Sequence, residues 1–453
     1  MRSSTAFWRV RLAAAVACAL ATTPLQVQAA QAPALQSATI EELMDITVTS
    51  AGRKSERAED VAAAIYVITR AQIQQSGLRT LPEILRLAPG VQVARAGSNK
   101  WAVSVRGFND VYSNKLLILI DGRSAYNRAF SGVFWEAQDV LIDEIERIEV
   151  IRGPGGALWG ANSVTGTLNI ITRHASDSAG GAVDVGFGDF DERRVSLRYG
   201  GAAGALAYRV FSQGSAYGEA RAADATGADD RWSSLATGFR ADWDGDADAI
   251  MMTGQFSLGR SRPRWVIMTG FTPPAFGLSD GVTHGSEVSA VARWTHGMRG
   301  GSVLQLQGTH SRSRREEATL SALEQSSGVD LQVESAFGAR HAVVTGGGYQ
   351  FVHFDPYASS LTLMIADERA HVLNAFVSDQ ITIARGLKTT AGAKIEYDSV
   401  TGMGLLPSAR ASGVSPTISA SGRRLRVHGA RRRSPTARCA TTSARSPRLK
   451  GLR

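Results

Sequence analysis

Two segments of the chain place aromatic rings beside a cation, a combination that is suited to holding a ligand. The first covers residues 97–101 and the second covers residues 126–135. A guanidinium or ammonium group next to rings favours an anionic or ring-bearing ligand. The alternative is that these rings pack in a core, and for Trp135 the two interpretations weigh equally. The candidate ligand contacts are Asn99, Lys100, Trp101, Tyr126, Asn127, Arg128 and Trp135.

Catalytic and metal chemistry are not indicated by the remaining residues. Four histidines lack a metal-like spacing with acidic residues: His174, His296, His310 and His353. The Gly-rich stretch at 153–160 is not followed by Gly-Lys-Ser, so it does not predict a phosphate loop. The two cysteines, Cys18 and Cys439, lie outside the body of the chain. We therefore predict a binding protein rather than an enzyme, with no cofactor and no metal ligand.

Two arginines stand out because each ends an apolar strand just before a glycine turn. Arg106 lies in VSVRGF and Arg152 lies in VIRGP. An arginine that is partly buried at such a position needs a carboxylate partner. The alternative for both residues is a solvated surface position.

The formal net charge of +9 comes from one end of the chain. Residues 408–453 contain 11 Arg, 1 Lys and no acidic residue, so residues 1–407 hold 38 basic and 41 acidic residues. The body is therefore mildly acidic, and it offers no basic groove that could follow a phosphate backbone. We exclude nucleic acid as a partner.

Residues 51–175, which contain the candidate loops, have the pattern of a compact α+β unit. We predict a short helix over Arg70–Ser76 that Gly77 closes, and a second helix that Thr80 caps. Asp121-Gly122 predicts a tight turn between two strands. The segment Gly153-Pro154-Gly155-Gly156 predicts a sharp turn after an alternating strand.

From Gly181 onward the chain alternates apolar and polar residues in segments of about ten residues. Residues 235–243 are one example, with Leu, Thr, Phe, Ala and Trp on one face. This pattern indicates β-strands with one lipid-facing side, and a soluble sandwich is the alternative. We count roughly eleven strands between Gly181 and Leu406.

The N-terminal region predicts secretion and a segment that a partner protein binds. Residues 1–29 resemble a signal peptide, with early arginines, an apolar run and small residues before a cleavage site. Residues 46–50, Ile-Thr-Val-Thr-Ser, are extended in character and could add a strand to another protein's sheet. The alternative is an ordinary first strand of the following unit.

Five strings, in one order, resemble TonB-dependent outer-membrane receptors, which carry a plug domain inside a large β-barrel. The most specific is RIEVIRGPGGALWGANSVTGTLNIITR at 147–173. The others are IYVITRAQIQQSG (65–77), LPEILRLAPGVQVAR (81–95), VSVRGF (103–108) and LLILIDGRSAY (116–126).

The resemblance implies an α+β plug domain followed by an antiparallel transmembrane β-barrel, here incomplete, at about half of 22 strands. It implies a periplasmic segment over 30–50 whose TonB box is Asp45, Ile46, Thr47, Val48 and Thr49. It also implies that Arg106 and Arg152 contact glutamates of the barrel. The implied partners are TonB with ExbB and ExbD, an external metal-chelate ligand, and outer-membrane lipid.

The resulting expectation is a Gram-negative outer-membrane receptor for a ferric siderophore or similar chelate, with residues 176–407 as a partial barrel. Cobalamin or another nutrient is an alternative ligand. We predict that 408–453 is an aberrant basic tail from a frameshift, with a genuine tail as the alternative. A relic that cannot form a barrel is a further alternative, whereas a signal-transducing receptor or a passive porin fits less well.

Overall fold

The structure, a computed structural model, describes residues 47–50, 52–58, 61–97, 99–189, 192–219, 229–263, 265–271, 274–279, 281–318, 320–359, 366–384 and 387–413. The predicted signal peptide, Asp45, Ile46 and residues 414–453 of the predicted tail lie outside these residues.

A five-stranded sheet forms the centre of the plug. Its strands are β3 (Ala64–Thr69), β6 (Leu116–Ile120), β7 (Arg123–Ser124), β8 (Ile145–Arg152) and β9 (Gly166–Thr172). Their order is β3-β8-β9-β6-β7, with β6 and β9 parallel and the other pairs antiparallel. The apolar run LLILI of β6 is buried almost throughout, as expected for a central strand.

Three short helices and two further strand pairs complete the plug. The helices are α1 (Arg70–Ser76), α2 (Leu81–Ile84) and α3 (Gly156–Trp159). The strand pairs are β1 (Thr47–Val48) with β2 (Glu56–Arg57), and β4 (Val91–Arg95) with β5 (Trp101–Val105). The helices α1 and α2 bury Ile73 and Ile84 in the apolar core beside the central sheet.

The predicted boundary of helix α1 is confirmed. Thr69 accepts a hydrogen bond from the backbone of Gln72, and the Gln72 side chain accepts one in return, which forms a capping box. Gly77 adopts the left-handed conformation, with φ of 65°, and ends the helix. Thr80 precedes α2 as predicted, but its hydroxyl donates to Glu83 over 2.8 Å instead of capping the backbone.

Both predicted turns are present. Asp121 and Gly122 have φ of 49° and 87° and join β6 to β7 as a two-residue hairpin loop, which requires positive φ at both positions. Gly153 has φ of 117°, and its amide donates to Thr165 as the chain leaves β8.

Twelve antiparallel strands form one large sheet after the plug, and a separate hairpin lies between two of them. In chain order the strands are β10 (Gly180–Gly188), β11 (Glu192–Ala203), β12 (Leu206–Tyr217), β13 (Trp232–Asp244), β14 (Asp248–Ser261), β15 (Trp265–Phe271), β16 (Pro274–Ser279), β17 (Thr283–Gly297), β18 (Val303–Glu316), β19 (Leu320–Phe337), β20 (His341–Ser359), β21 (Glu368–Ala384), β22 (Leu387–Asp398) and β23 (Gly402–Gly413). The hairpin consists of β15 and β16.

The predicted alternation of the sheet is confirmed by burial. On β13, Leu235 and Phe239 are 46% and 44% exposed on the outer face, whereas Ala236 and Asp242 are at most 3% exposed on the face toward the plug. An apolar outer face and a polar inner face are typical of a transmembrane β-sheet.

The strand count and the predicted end of the sheet need correction. Roughly eleven strands were expected, whereas the structure has twelve in the large sheet and two more in the hairpin of β15 and β16. The sheet also continues past the predicted boundary at 407, since β23 runs to Gly413. Ser412 pairs with Lys388 in regular register.

The described sheet is open. Within the described residues, β10 pairs only with β11 and β23 pairs only with β22. Twelve strands are about half of the 22 that a barrel enclosing a plug needs.

Candidate functional site

The strand connections distinguish two ends of the sheet. At one end, called the long-loop end, eight or more residues separate β12 from β13, β14 from β17 and β20 from β21. At the other, called the short-turn end, two to five residues join β11 to β12, β13 to β14, β17 to β18, β19 to β20 and β21 to β22.

A network of four charged residues fastens the plug at the long-loop end. Lys100 Nζ lies 2.5 Å from Glu136 Oε1, and Arg315 Nη2 on β18 lies 2.8 Å from the same oxygen. Glu317 Oε2 lies 2.8 Å from Arg315. The Arg315 guanidinium also stacks 3.9 Å from the centre of the Phe134 ring. The plug loops and strand β18 therefore share one buried ionic cluster.

Glu136 remains ionised in this network. Burial alone would raise the pKa of its carboxyl, but Lys100 and Arg315 outweigh burial and lower the pKa to about 2. The ionised Glu136 carboxylate therefore links Lys100 of the plug to Arg315 on β18.

A second network surrounds Arg128, also at the long-loop end. Its Nε lies 2.5 Å from Glu368 at the start of β21, and its Nη2 lies 3.5 Å from Asp398 at the end of β22. Its backbone amide donates to Glu324 on β19 over 2.9 Å. A single plug residue thus contacts three strands of the sheet.

A cavity opens between these plug loops and the wall of the sheet. The plug contributes polar and aromatic residues to it, and β13 to β20 contribute mostly serines, apolar residues and charged residues of both signs. The residues that line the cavity include Asn99, Tyr126, Asn127, Phe134, Gln138, Asp139, Trp232, Glu287 and Glu324.

The structure divides the predicted ligand residues into three groups. Asn99, Tyr126 and Asn127 line the cavity. Lys100 and Arg128 lie beside it, but carboxylates already engage both cations. Trp101 and Trp135 pack in the plug core at 6% and 7% exposure, which is the alternative that the sequence left open for Trp135.

Sequence reasoning missed three polar residues that follow Trp135. Glu136 holds the ionic network, and Gln138 and Asp139 line the cavity. Gln213 and Gln255 donate to the carbonyl of Asp139 over 3.1 and 3.0 Å. The available signal was the segment WEAQD, in which three polar residues follow the tryptophan, whereas a purely structural core segment would be apolar.

The predicted plug–barrel contacts of Arg106 and Arg152 are not found. The Arg106 side chain is exposed and makes no hydrogen bond or ion pair with another described residue. Arg152 donates to the carbonyl of Pro89 over 3.1 Å, within the plug. Arg106 directly follows β5, and Arg152 is the last residue of β8.

Other residues make the contacts that those arginines were expected to make. Glu144 of the plug lies 2.9 Å from Arg198 and 3.0 Å from Arg209 on β11 and β12. Arg123 lies 3.1 Å from Glu287 on β17. The plug therefore presents charges of both signs to the wall.

The predicted TonB box begins the described chain at the short-turn end. Thr47 is exposed, whereas Val48 is fully buried against Val61, Val67 and Ile151. The adjoining residues 53 and 54 contact the short-turn ends of β19 and β21, through Gln332 and Gln380.

A buried carboxylate holds the residues after Val48. Glu149 on β8 is 0% exposed and accepts hydrogen bonds from the Thr49 amide at 3.0 Å and the Ser50 amide at 2.7 Å. Trp159 and Asn169 contact Ser50 through its carbonyl and its hydroxyl. Residues 49 and 50 are thus held against the plug by hydrogen bonds to Glu149, Trp159 and Asn169.

The described residues include neither a metal-ligand cluster nor a membrane-spanning helix. No group of three metal-ligating side chains occurs among the residues that the structure describes. Among the same residues, no helix combines the length and the apolar character that a membrane-spanning helix requires.

The family comparison matches the TonB-dependent receptor plug domain to residues 57–167. The vitamin B12 transporter BtuB of Vibrio vulnificus is 35% identical over 155 residues, which are 34% of this chain and 25% of that protein. BtuB of Photobacterium profundum is 30% identical over 225 residues, which are 45% of this chain and 36% of that protein. The chain thus covers between a quarter and just over a third of these relatives.

Solved structures extend the likeness to the large sheet. The alcaligin outer-membrane receptor FauA from Bordetella pertussis has a TM-score of 0.62 at 17% identity, and the match covers 85% of this chain and 61% of that one. The ferripyoverdine receptor of Pseudomonas aeruginosa has a TM-score of 0.61 at 16% identity, over 85% and 57%. The fold of plug and sheet is shared. Residues 57–167 therefore match the plug domain of TonB-dependent receptors, and the plug with the partial sheet that follows shares the fold of those solved structures.

Proposed function

We propose that this chain serves the TonB-dependent uptake of a ferric siderophore or similar metal chelate across the outer membrane of a Gram-negative bacterium. One observation carries the proposal: the cavity beside the plug loops and the predicted TonB box lie at opposite ends of the same plug. Long loops face outward and short turns face the periplasm in outer-membrane barrels. A ligand therefore enters at the cavity, while the periplasmic partner acts on the other end.

In this proposal TonB engages residues 45–49 and rearranges the plug, and ExbB and ExbD supply energy from the proton motive force. Signal-peptide cleavage after residue 29 precedes insertion. Asn99, Tyr126 and Asn127 contact the ligand, joined by Phe134 and Gln138. Arg106 and Arg152 make no plug–barrel contact among the described residues, so the proposal assigns them none.

Cobalamin is the second candidate, because two observations favour it. Relatives that match the plug at 30–35% identity are named vitamin B12 transporters. In addition, carboxylates already pair with Lys100 and Arg128, so an anionic chelate would compete with Glu136 and Glu368 for them. A large, ring-bearing and nearly neutral ligand would meet no such competition.

Ligand binding separates the two candidates. The 453-residue chain, refolded in detergent, is titrated with ferric enterobactin and with cyanocobalamin. We expect Tyr126→Ala to weaken binding of the true ligand about tenfold, since a ring in the wall of a cavity provides contact area. Tyr208→Ala, on the outer face of β12, is the matched control and should have no effect. A folded chain that binds neither compound contradicts the proposed function.

Strand addition to TonB is testable with a peptide. A peptide of residues 40–55 should capture the periplasmic domain of TonB, because main-chain hydrogen bonds supply most of the affinity in β-augmentation. Val48→Pro removes a donor and fixes φ, so it should abolish capture, whereas Val48→Ala should retain most of it. Equal capture by the wild-type and proline peptides would rule out this mode of binding.

A further inference from the structure

A shallow groove lies on the outer face of the sheet, at the long-loop end. It runs across β13, β14, β17 and β18. Leu235 and Leu258 form its apolar part, and the polar part consists of Arg260, His284, Arg314 and Glu316. The same strands also line the cavity beside the plug, and Leu258, Arg260 and Arg314 contribute to both.

Strand alternation establishes that the groove faces away from the plug. On β14, Phe256 and Leu258 are 39% and 42% exposed, whereas Ser257 and Ser261 between and beyond them are 7% and 4% exposed. Arg260 lies on the same face of β14 as Leu258 and is exposed. Arg260 pairs in register with His284, and His284 pairs with Glu316, so the polar residues lie side by side.

The two arginines of the groove have unused hydrogen-bonding capacity. Arg260 makes no side-chain hydrogen bond or ion pair with another described residue. Arg314 is 61% exposed, and its Nε and Nη2 reach Glu316 Oε1 at 3.0 and 2.7 Å, while Nε also lies 3.3 Å from the Tyr357 hydroxyl. Two arginines against one glutamate leave the groove with a net positive charge.

We propose that this groove binds one lipid of the surrounding membrane whose phosphate headgroup carries a net negative charge. The phosphate lies between Arg260 and Arg314, which a single intervening strand separates by roughly 10 Å, within reach of two long side chains. Guanidinium groups bind phosphate oxygens in pairs of charge-assisted hydrogen bonds. An acyl chain covers Leu235 and Leu258, which lie on the same outer face, in register with Arg314 through Ser286.

The apolar part of the groove selects a lipid over free phosphate. Leu235 and Leu258 continue the exposed apolar band of the sheet, and Arg260 lies beyond Leu258 toward the end of β14. A free anion would use the arginines alone, whereas a lipid satisfies both parts of the groove. The inference rests on the proposed placement of the sheet in the outer membrane, but it does not depend on which chelate is bound.

Native mass spectrometry of the detergent-solubilised 453-residue chain tests the proposal. The chain is mixed with equal amounts of phosphatidic acid and phosphatidylcholine. We expect one retained phosphatidic acid molecule, preferred about tenfold or more, and a loss of that preference in the double variant Arg260→Ala/Arg314→Ala. The double variant Arg260→Lys/Arg314→Lys keeps the charges and should keep part of the preference.

Arg193→Ala is the matched control. Arg193 is also exposed on the outer face near the long-loop end, on β11, and is outside the groove. An equal loss in Arg193→Ala would show a general attraction of cations to anionic lipid and overturn the proposal. Equal retention of the two lipids by the wild type would overturn it as well. Displacement of the lipid by millimolar inorganic phosphate would indicate an anion site only. None of these outcomes bears on chelate or TonB binding, so the proposed function can fail separately.

Discussion

A polypeptide of these 453 residues, placed in a bilayer, should not form a closed barrel by itself. In the described sheet, β10 and β23 each have one neighbour, and they are 9 and 12 residues long. An unpaired backbone amide or carbonyl in hydrocarbon costs several kcal/mol. Two such edges together cost on the order of tens of kcal/mol, against a net folding stability of about 5–15 kcal/mol.

Heat-modifiable gel migration measures closure, because a closed barrel stays compact in detergent until it is boiled. We expect unboiled and boiled samples of the membrane-inserted chain to migrate alike. A compact, heat-sensitive band at the mass of one chain would contradict the prediction. A heat-sensitive band at twice that mass would instead show that two chains pair their open edges, which is the other way of satisfying them.

Local features of the fold could be predicted from the sequence because they depend on neighbouring residues. Thr69, Gln72 and Gly77 define helix α1, and Asp121-Gly122 defines a hairpin loop. Alternation along β13 gave the two faces of the sheet. The end of the sheet was harder to predict, since β23 contains a proline and several small residues that weaken its alternation.

The candidate site was harder to predict because its contacts join distant parts of the chain. Arg128 and Glu368 are 240 positions apart, so no spacing in the sequence indicates that they pair. The same holds for Glu136 and Arg315, which are 179 positions apart. Trp135 could be read as a ligand contact or as a core residue, and only the packing of β5, β6 and the following loop distinguishes the two.

The docking of the predicted TonB box is a further feature that composition does not reveal, and it leads to a strong expectation for Glu149. Its fully buried carboxylate accepts from the Thr49 and Ser50 amides and from Arg147 Nε at 2.9 Å. Strand addition to a partner requires residues 47–49 to be extended and accessible. The Glu149 contacts therefore oppose engagement until they are broken.

Glu149→Ala should release this segment. Each hydrogen bond to a charged group contributes about 1.5–3 kcal/mol, so losing the two amide contacts should lower the local opening free energy by about 3 kcal/mol. Amide hydrogen exchange at Thr49 and Ser50 should then become about 100-fold faster, since 1.4 kcal/mol corresponds to a factor of ten. Glu149→Gln keeps one acceptor oxygen and should give an intermediate rate.

Glu146→Ala on the same strand provides the control for this last prediction. The Glu146 side chain is 45% exposed and its ion pair with Arg173 spans 4.0 Å, so its removal should change exchange at Thr49 and Ser50 little. The freed segment of Glu149→Ala should also capture more of the periplasmic TonB domain than the wild type does. Unchanged exchange in Glu149→Ala would mean that burial of Val48, and not the carboxylate, holds the segment in place.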